Sequence, residues 1–205
     1  MRAARLILGL LTCGFALQCW AIAPGSKVPD FRLTDHRGQQ HRLYDMTGEK
    51  AVVIMFQGNG CPIVRQALPL LQEVRDRYHG QGVKFLLLNS NLQDNTASIA
   101  KEAEEFSIAF PILVDQKQQV GETLGVERTS EVFVIEPRTW KLVYRGPMDD
   151  RLHYERQRPP TKHYLTDVLD AVIAGRPVAV TAADGVGCIV NFPERAKRQR
   201  ARRTS

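Results

Sequence analysis

Residues 51–65 read AVVIMFQGNGCPIVR, and they set the class of fold. Residues 51–56 are apolar without interruption, which is typical of a β-strand buried on both faces. Pro62 suits the first turn of a helix, and apolar residues then recur at three- and four-residue spacing as far as Tyr78. A buried strand that leads through a short turn into a helix indicates an α/β fold, with Cys61 at the junction.

Strands and helices alternate on both sides of this junction. Periodicity and turn residues predict an N-terminal hairpin at 30–43, strands at 51–56, 83–88 and 109–114, helices at 62–78, 94–106, 117–124 and 161–174, and a second hairpin at 131–144. Asp94 or Thr96 is predicted to cap the second helix. Because the second hairpin adds antiparallel strands, we predict an α/β sandwich with a mixed central sheet and an N-terminal β-hairpin.

The first 23 residues have the pattern of a secretory signal peptide. Two arginines precede an apolar run at 6–17, which is shorter than the ~20 residues that a membrane span needs. Ala21 and Ala23 are the small residues expected before a cleavage site. We expect cleavage after Ala23, a periplasmic or secreted protein, and no stable membrane insertion; an uncleaved anchor is the alternative. Cleavage leaves two cysteines, Cys61 and Cys188, in an oxidising compartment.

Composition and charge exclude several classes of protein. The chain has 205 residues, 43% hydrophobic and 24% charged, which is ordinary for one globular domain. The net charge of +6 comes from the two ends, because residues 24–194 hold 20 basic and 22 acidic side chains, and we expect no nucleic-acid interface. We predict a folded domain at 24–176, an extended segment at 177–194 that carries Cys188, and a basic disordered tail at 195–205.

The candidate chemistry lies at Cys61. Backbone N–H groups and the positive end of the helix dipole favour a thiolate at a helix N-terminus. Arg65, one turn later, would add positive charge, and Gly58 and Gly60 are expected to leave the sulfur approachable. Since a thiolate is the nucleophile of thiol–disulfide and peroxide chemistry, we predict that Cys61 is redox-active. The alternatives are an unreactive buried thiol and one half of a structural disulfide.

The order of elements resembles the thioredoxin-like superfamily. The motifs NGCPIVR, FLLLNSN, FPILVD, TSEVFVIE and YRGPMDDR are similar to those of exported redoxin-domain proteins related to AhpC/TSA peroxiredoxins and TlpA, over about residues 24–175. The resemblance implies a three-layer thioredoxin-like sandwich. It also implies an oxidoreductase that acts through Cys61 on protein thiols and disulfides or on peroxide, with an external electron donor and no cofactor. In such a protein Pro62, Thr129 and Ser130 border the substrate groove.

Several positions depart from the patterns of the family. Val64 stands where a thioredoxin has the second cysteine of CxxC, so no resolving thiol is nearby in sequence. Ile54 and Gly58 stand where the peroxiredoxin motif has its proline and its hydroxyl residue, and thiol peroxidase is therefore the alternative activity. Ser130 occupies the usual position of a cis-proline; we expect a trans bond there, because a cis bond without proline costs ~3 kcal/mol.

Cys188 is the natural second thiol, and Gly187-Cys188 matches a late Gly-Cys that members of this group often carry. Three interpretations are open: a resolving cysteine for Cys61, one half of a static disulfide, and an unrelated thiol. We expect the segment around Cys188 to run extended over the body and to approach Cys61. For a catalytic bridge, we expect Cys61 on the accessible side. The predicted catalytic set is Cys61, Cys188 and Arg65.

A copper-binding or assembly-factor module is the alternative from a different class. Sco-type copper chaperones share the resembled fold and bind copper through CxxxC and a distant histidine, but Arg65 takes the place of the second cysteine. His153 and His163, with Cys61 and Cys188, are the remaining soft donors. The histidines fall in no ligand spacing, and we predict no metal site.

Overall fold

The structure is a computed structural model that describes residues 22–154 and 157–203. The strands are β1 (Arg32–Thr34), β2 (Gln40–Arg42), β3 (Ala51–Gln57), β4 (Val83–Asn89), β5 (Ile112–Val114), β6 (Val132–Glu136) and β7 (Lys141–Gly146). The helices are α1 (Pro62–Arg77), α2 (Thr96–Glu105), α3 (Gln119–Leu124), α4 (Tyr164–Ile173) and α5 (Pro193–Arg203). The predicted signal peptide lies outside the described residues, apart from its last two.

The central sheet has five strands in the order β5-β4-β3-β6-β7. β3, β4 and β5 run parallel, whereas β6 is antiparallel to both β3 and β7. β1 and β2 form a separate antiparallel hairpin. The structure thus confirms the predicted mixed sheet and N-terminal hairpin.

β3 is the centre of the sandwich, and all seven of its residues are buried. Its side chains alternate, because successive residues of a strand point to opposite faces. Val53 and Met55 pack with residues of α1, α2 and α4, while Val52 and Ile54 pack with residues of α3. The continuous apolar run in the sequence is therefore a strand covered on both faces, and it delivers Cys61 to one edge of the core.

The cap of α2 differs from the prediction. Asn95, and neither Asp94 nor Thr96, is the N-cap: its side chain accepts a hydrogen bond from the Ser98 N–H at 2.9 Å, and the Ser98 hydroxyl accepts from the Asn95 N–H at 3.0 Å. This reciprocal capping box satisfies two N–H groups at the start of the helix. The carboxylate of Asp94 is therefore free to bind the loop before Cys61.

Residues 181–192, here called the strap, run back over the sheet edge after α4. The Arg145 N–H donates to the Thr181 carbonyl at 3.0 Å, and the Val190 N–H donates to the Glu127 carbonyl at 3.0 Å. Val190 and Phe192 are buried in the core layer that contains α3. The strap is thus fastened at both ends.

The tail at 195–205 is predicted to be disordered, but its described residues, 195–203, form most of α5. Arg195 stacks over the Phe192 ring at 4.1 Å, and Arg198 pairs with Glu122 of α3 at 2.7 Å. These contacts hold the first turns of a helix that has no apolar face of its own. No helix in the described part of the chain is long and apolar enough to cross a membrane.

Candidate active site

Cys61 is the N-cap of α1, and its thiol is buried, with 4% of the residue exposed. Its Sγ lies 3.1 Å from the Thr129 hydroxyl oxygen. The expectation that Gly58 leaves this sulfur approachable is wrong. The side chains of Asn91 and Thr129 occupy the space where a Cβ of Gly58 would stand, so this glycine permits tight packing and gives no access.

Cys188 lies in the strap, directly beside this pair. The Thr129 N–H donates to the Cys188 carbonyl at 2.9 Å, and the Cys188 N–H donates to the Thr129 hydroxyl oxygen at 2.9 Å. Both cysteines are free thiols, and Cys188 is exposed where Cys61 is buried. The expectation that Cys61 occupies the accessible side of the pair is therefore wrong, because the strap covers Cys61 and leaves Cys188 outside.

The surroundings move the pKa values of the two thiols in opposite directions. Burial raises the pKa of Cys61, but the polar groups beside its sulfur, first the Cys188 side chain and then the Thr129 hydroxyl, outweigh burial and lower this pKa below its ordinary value. Burial and the neighbouring Cys61 sulfur raise the pKa of Cys188 to about 11. When one proton leaves the pair, the negative charge therefore resides on Cys61.

Gly187 explains how Cys188 comes so close to Thr129. A Cβ at Gly187 would overlap the Thr129 carbonyl oxygen, so only glycine fits this position in the strap. The Tyr154 hydroxyl donates to the Gly187 carbonyl at 2.9 Å and accepts from its N–H at 3.2 Å. The Arg128 guanidinium donates to the same carbonyl at 3.2 Å. Tyr154 and Arg128 thus hold the strap at the residue before Cys188.

Asp94 holds the loop that precedes Cys61. Its carboxylate accepts hydrogen bonds from the Asn59 N–H at 3.0 Å and from the side-chain amides of Asn89 at 2.8 Å and Asn91 at 3.1 Å. All three donors point to one oxygen, which ties the ends of β3 and β4 together. The loop between β3 and α1 is therefore fixed by a buried charge.

Arg65 binds a different acidic residue. Its guanidinium pairs with Glu102 at 3.2 Å and stacks over the Phe106 ring at 3.9 Å. Glu102 also accepts a hydrogen bond from the Gly60 N–H at 3.1 Å. The contacts of Arg65 thus reach the cysteine loop through Glu102, and direct stabilisation of the thiolate by Arg65 stays a prediction.

The three residues predicted to border a substrate groove lie in different environments. Pro62 is exposed at the first position of α1, whereas Thr129 and Ser130 are buried beneath the strap. Ser130 has a left-handed backbone with φ of 60°, and its hydroxyl donates to the Val186 carbonyl at 2.7 Å. No cis peptide bond is found among the described residues, which agrees with the trans bond expected at Ser130.

Sequence reasoning did not identify Asp94, Tyr154 or the close approach of Gly187 as parts of this site. The position of Asp94 could have indicated its role, because it is an acidic residue in the loop that directly follows β4. The sequence pattern instead predicts it to be a helix cap. No sequence pattern indicates the role of Tyr154, because its hydrogen bonds depend on how a loop meets the strap. His153 and His163 are exposed, and the described residues contain no group of three or more His, Cys, Asp or Glu that could hold a metal.

The mixed sheet, the cysteine at the start of the helix after β3 and the second thiol against it define the class of a thioredoxin-like redoxin. Within this class, the sequence profile of the AhpC/TSA family matches residues 24–145. The chain belongs to that family.

Relatives and solved structures are consistent with this membership. The thiol-disulfide oxidoreductase ResA of Geobacillus kaustophilus is 33% identical over 169 residues, which cover 78% of this chain and 95% of the relative. An uncharacterized conserved protein of known structure from the same organism is 31% identical, with a TM-score of 0.74 over 83% of this chain and 93% of its own. The exposed lipoprotein thioredoxin Etrx1 of Streptococcus pneumoniae is 26% identical, with a TM-score of 0.52 over 58% of this chain and 89% of its own.

Proposed function

We propose that the protein is an exported thiol-disulfide oxidoreductase that cycles between a Cys61–Cys188 disulfide and two free thiols. The observation that carries this proposal is the Thr129 hydroxyl, which contacts the Cys61 sulfur and accepts the Cys188 N–H. One side chain thus holds both cysteines at a single point, although they are far apart in the chain. A static disulfide needs no hydroxyl at this point.

The reaction is a transfer of two electrons and two protons. The two thiols become a disulfide, while a disulfide in a partner protein becomes two thiols; the reverse reaction oxidises a partner dithiol. Cys61 supplies the thiolate, because the hydrogen bonds that lower its pKa stabilise the charged form. Thr129 orients that thiolate, and Glu102, held by Arg65, fixes the loop at Gly60.

Location and domain organisation complete the proposal. The N-terminal pattern supports export with cleavage after Ala23, which leaves the folded domain at 24–176 followed by the segment that carries Cys188. An oxidising compartment suits a cysteine pair that forms a disulfide. The name of the ResA relative, a thiol-disulfide oxidoreductase, supports the same chemistry.

The test is differential thiol alkylation with mass spectrometry on the full chain expressed with its own N-terminus. We expect a Cys61–Cys188 disulfide that mild dithiol treatment of the folded protein opens and an oxidised partner closes again. Cys61→Ser and Cys188→Ser each abolish this cycle. Two free thiols under oxidising conditions, or a bridge that resists mild reduction, would contradict the proposal, and the mass of the N-terminal peptide reports the cleavage site.

Thiol peroxidase is the second candidate, because Thr129 supplies a hydroxyl next to Cys61 that the β3–α1 loop lacks. The Cys61 thiolate would attack hydrogen peroxide, giving sulfenic acid and, after protonation of the leaving hydroxide, water. The Cys188 thiol would then condense with the sulfenic acid, forming the disulfide and a second water. Peroxide consumption in the presence of a dithiol, lost in Cys61→Ser, selects this activity; its absence from the wild-type protein rejects it.

A further inference from the structure

The two sulfurs of the proposed pair differ in their access to a partner. Cys61 is covered by the strap and by Thr129, whereas Cys188 is exposed. Next to Cys188, Ile189 is 75% exposed, and Tyr154, bonded to Gly187, is 60% exposed. An attacking group on another protein therefore meets Cys188 first, together with two large apolar side chains that suit a protein surface.

Reaching Cys61 from outside requires the strap to move. The Thr129 N–H to Cys188 carbonyl bond, the Arg128–Ile189 bridge and the Ser130 hydroxyl to Val186 carbonyl bond all fasten the strap over the buried sulfur. Each of these contacts breaks if the segment lifts. Cys188, in contrast, is exposed with the strap in place.

We propose that Cys188 is the cysteine that exchanges with the partner and that Cys61 is the internal leaving group. This inference rests on the proposed function, and it reverses the sequence-based expectation that Cys61 faces the partner.

Reduction of the protein passes through a mixed disulfide with the partner. A partner thiolate attacks Cys188 Sγ, a sulfur–sulfur bond forms between partner and Cys188, and the Cys61–Cys188 bond breaks with its electron pair on Cys61. A second partner thiol, deprotonated, then attacks the partner sulfur of this mixed disulfide. Cys188 leaves and takes a proton, and the partner ends as a disulfide. Oxidation of the protein runs through the same intermediate in reverse.

Leaving-group chemistry favours the same order. In thiol–disulfide exchange, the sulfur with the lower pKa leaves faster. The Thr129 hydroxyl, 3.1 Å from the Cys61 sulfur, helps to hold the pKa of Cys61 down, while the pKa of Cys188 is raised. Attack on Cys61 would have to reach a covered atom and expel the poorer leaving group.

The test maps the first adduct of the oxidised full-length protein with reduced glutathione. The reaction is quenched in acid within the first turnover, and the modified cysteine is identified by mass spectrometry. We expect about tenfold or more glutathione on Cys188 than on Cys61. The matched control is the same oxidised protein in guanidinium chloride, where both sulfurs are exposed and the preference should fall to about twofold or less.

Each outcome has a distinct meaning. An adduct mainly on Cys61, or equal labelling of both cysteines in the folded protein, overturns the assignment and leaves the proposed function standing. Failure to form any Cys61–Cys188 disulfide overturns the proposed function, and the assignment falls with it. A preference for Cys188 that persists unchanged in guanidinium chloride contradicts the inference that the strap selects Cys188 by covering Cys61.

Discussion

The two cysteines lie in regions that differ in how they are built into the fold. Cys61 stands between β3 and α1, elements built into the core, and its loop is fixed by three hydrogen bonds to one oxygen of Asp94. Cys188 lies on a strap whose middle is held by hydrogen bonds to Thr129 and Tyr154. The two regions therefore have different roles: the loop before α1 stabilises the charge on Cys61, and the strap presents Cys188 to the outside.

We expect the largest effect from Gly187→Ala, which prevents the strap from packing against Thr129. The new Cβ would overlap the Thr129 carbonyl oxygen, so the strap cannot close and the contacts around Cys188 are lost. We expect this substitution to raise the free energy of the closed strap, relative to the open strap, by about 3 kcal/mol or more. The measurement is alkylation of Cys61 in the reduced protein, which should become about 100-fold faster at that cost.

Gly48→Ala is the matched control, since a Cβ there meets no atom within 4 Å. It should leave the alkylation rate of Cys61 unchanged. Equal protection of Cys61 in Gly187→Ala and in the wild type would show that the strap does not cover this thiol.

The second prediction breaks the fixed region with Asp94→Asn. The amide oxygen of asparagine can stand where one carboxylate oxygen accepts all three hydrogen bonds, but it is neutral, so these three bonds lose the assistance of the negative charge. We expect the free energy of unfolding to fall by about 2–3 kcal/mol in urea titration. Asp184→Asn, in the strap, is the control with little expected effect; a loss of similar size there would contradict the contrast between the two regions.

The third prediction removes the hydroxyl that links the regions, by Thr129→Val. The change keeps the side-chain volume but deletes the hydroxyl contact with Cys61, so the pKa of Cys61 should rise. The pH profile of Cys61 alkylation in the Cys188→Ser background measures this pKa. Thr129→Ser should restore the wild-type profile, and an unchanged profile in Thr129→Val would reject the role of the hydroxyl.

The fourth prediction loosens the strap by Tyr154→Phe. The hydroxyl bonded to Gly187 is lost, but Tyr154 is largely exposed and water replaces part of the interaction. We expect a cost of about 0.5–1 kcal/mol, seen as a two- to fivefold faster alkylation of Cys61. Tyr164→Phe on α4 is the matched control, and equal rates in both variants would remove Tyr154 from the strap contacts.

The smallest effect is a pH dependence of the stability of the reduced protein. The lowered pKa of Cys61 stabilises the fold above the unfolded value of ~8.5, and this contribution is lost as pH falls through the folded pKa. The raised pKa of Cys188 stabilises the fold below ~8.5 and is lost as pH rises towards about 11. The difference in the free energy of unfolding between the wild type and the Cys61→Ser, Cys188→Ser double variant, measured by urea titration, should therefore peak near pH ~8.5. A flat difference between the two proteins would contradict the opposed shifts.

The sequence predicts the layers of this fold well, because burial on both faces leaves a local signature. The apolar run of β3 and the proline at the start of α1 placed Cys61 at the helix N-terminus without any tertiary information. Similar local signals located the terminal hairpin and α4 to within a few residues. The predicted and observed ends of the elements differ where the chain turns, as at the start of α4.

The covering of Cys61 is not a local property, and so the sequence could not reveal it. Gly58 has no side chain of its own, but the side chains of Asn91 and Thr129, from loops distant in sequence, fill the space beside it. Likewise the basic residues of α5 predict a solvated chain, while Phe192 and Glu122 give that segment contacts to fold against. Thr129 entered the prediction through the resemblance alone, as a groove residue, and its hydroxyl contact with both cysteines depends on the strap.

The position of the strap late in the chain also orders events during biosynthesis. Cys61 and Cys188 are separated by more than a hundred residues, and the sheet with α1 to α4 is complete before the strap begins. Since domains form from the N-terminal side as a chain emerges, a nascent protein passes through a stage in which Cys61 is folded into place but uncovered. During that interval Cys61 lacks its cover and is open to foreign disulfides, and the site is complete only once residues 181–192 have closed over it.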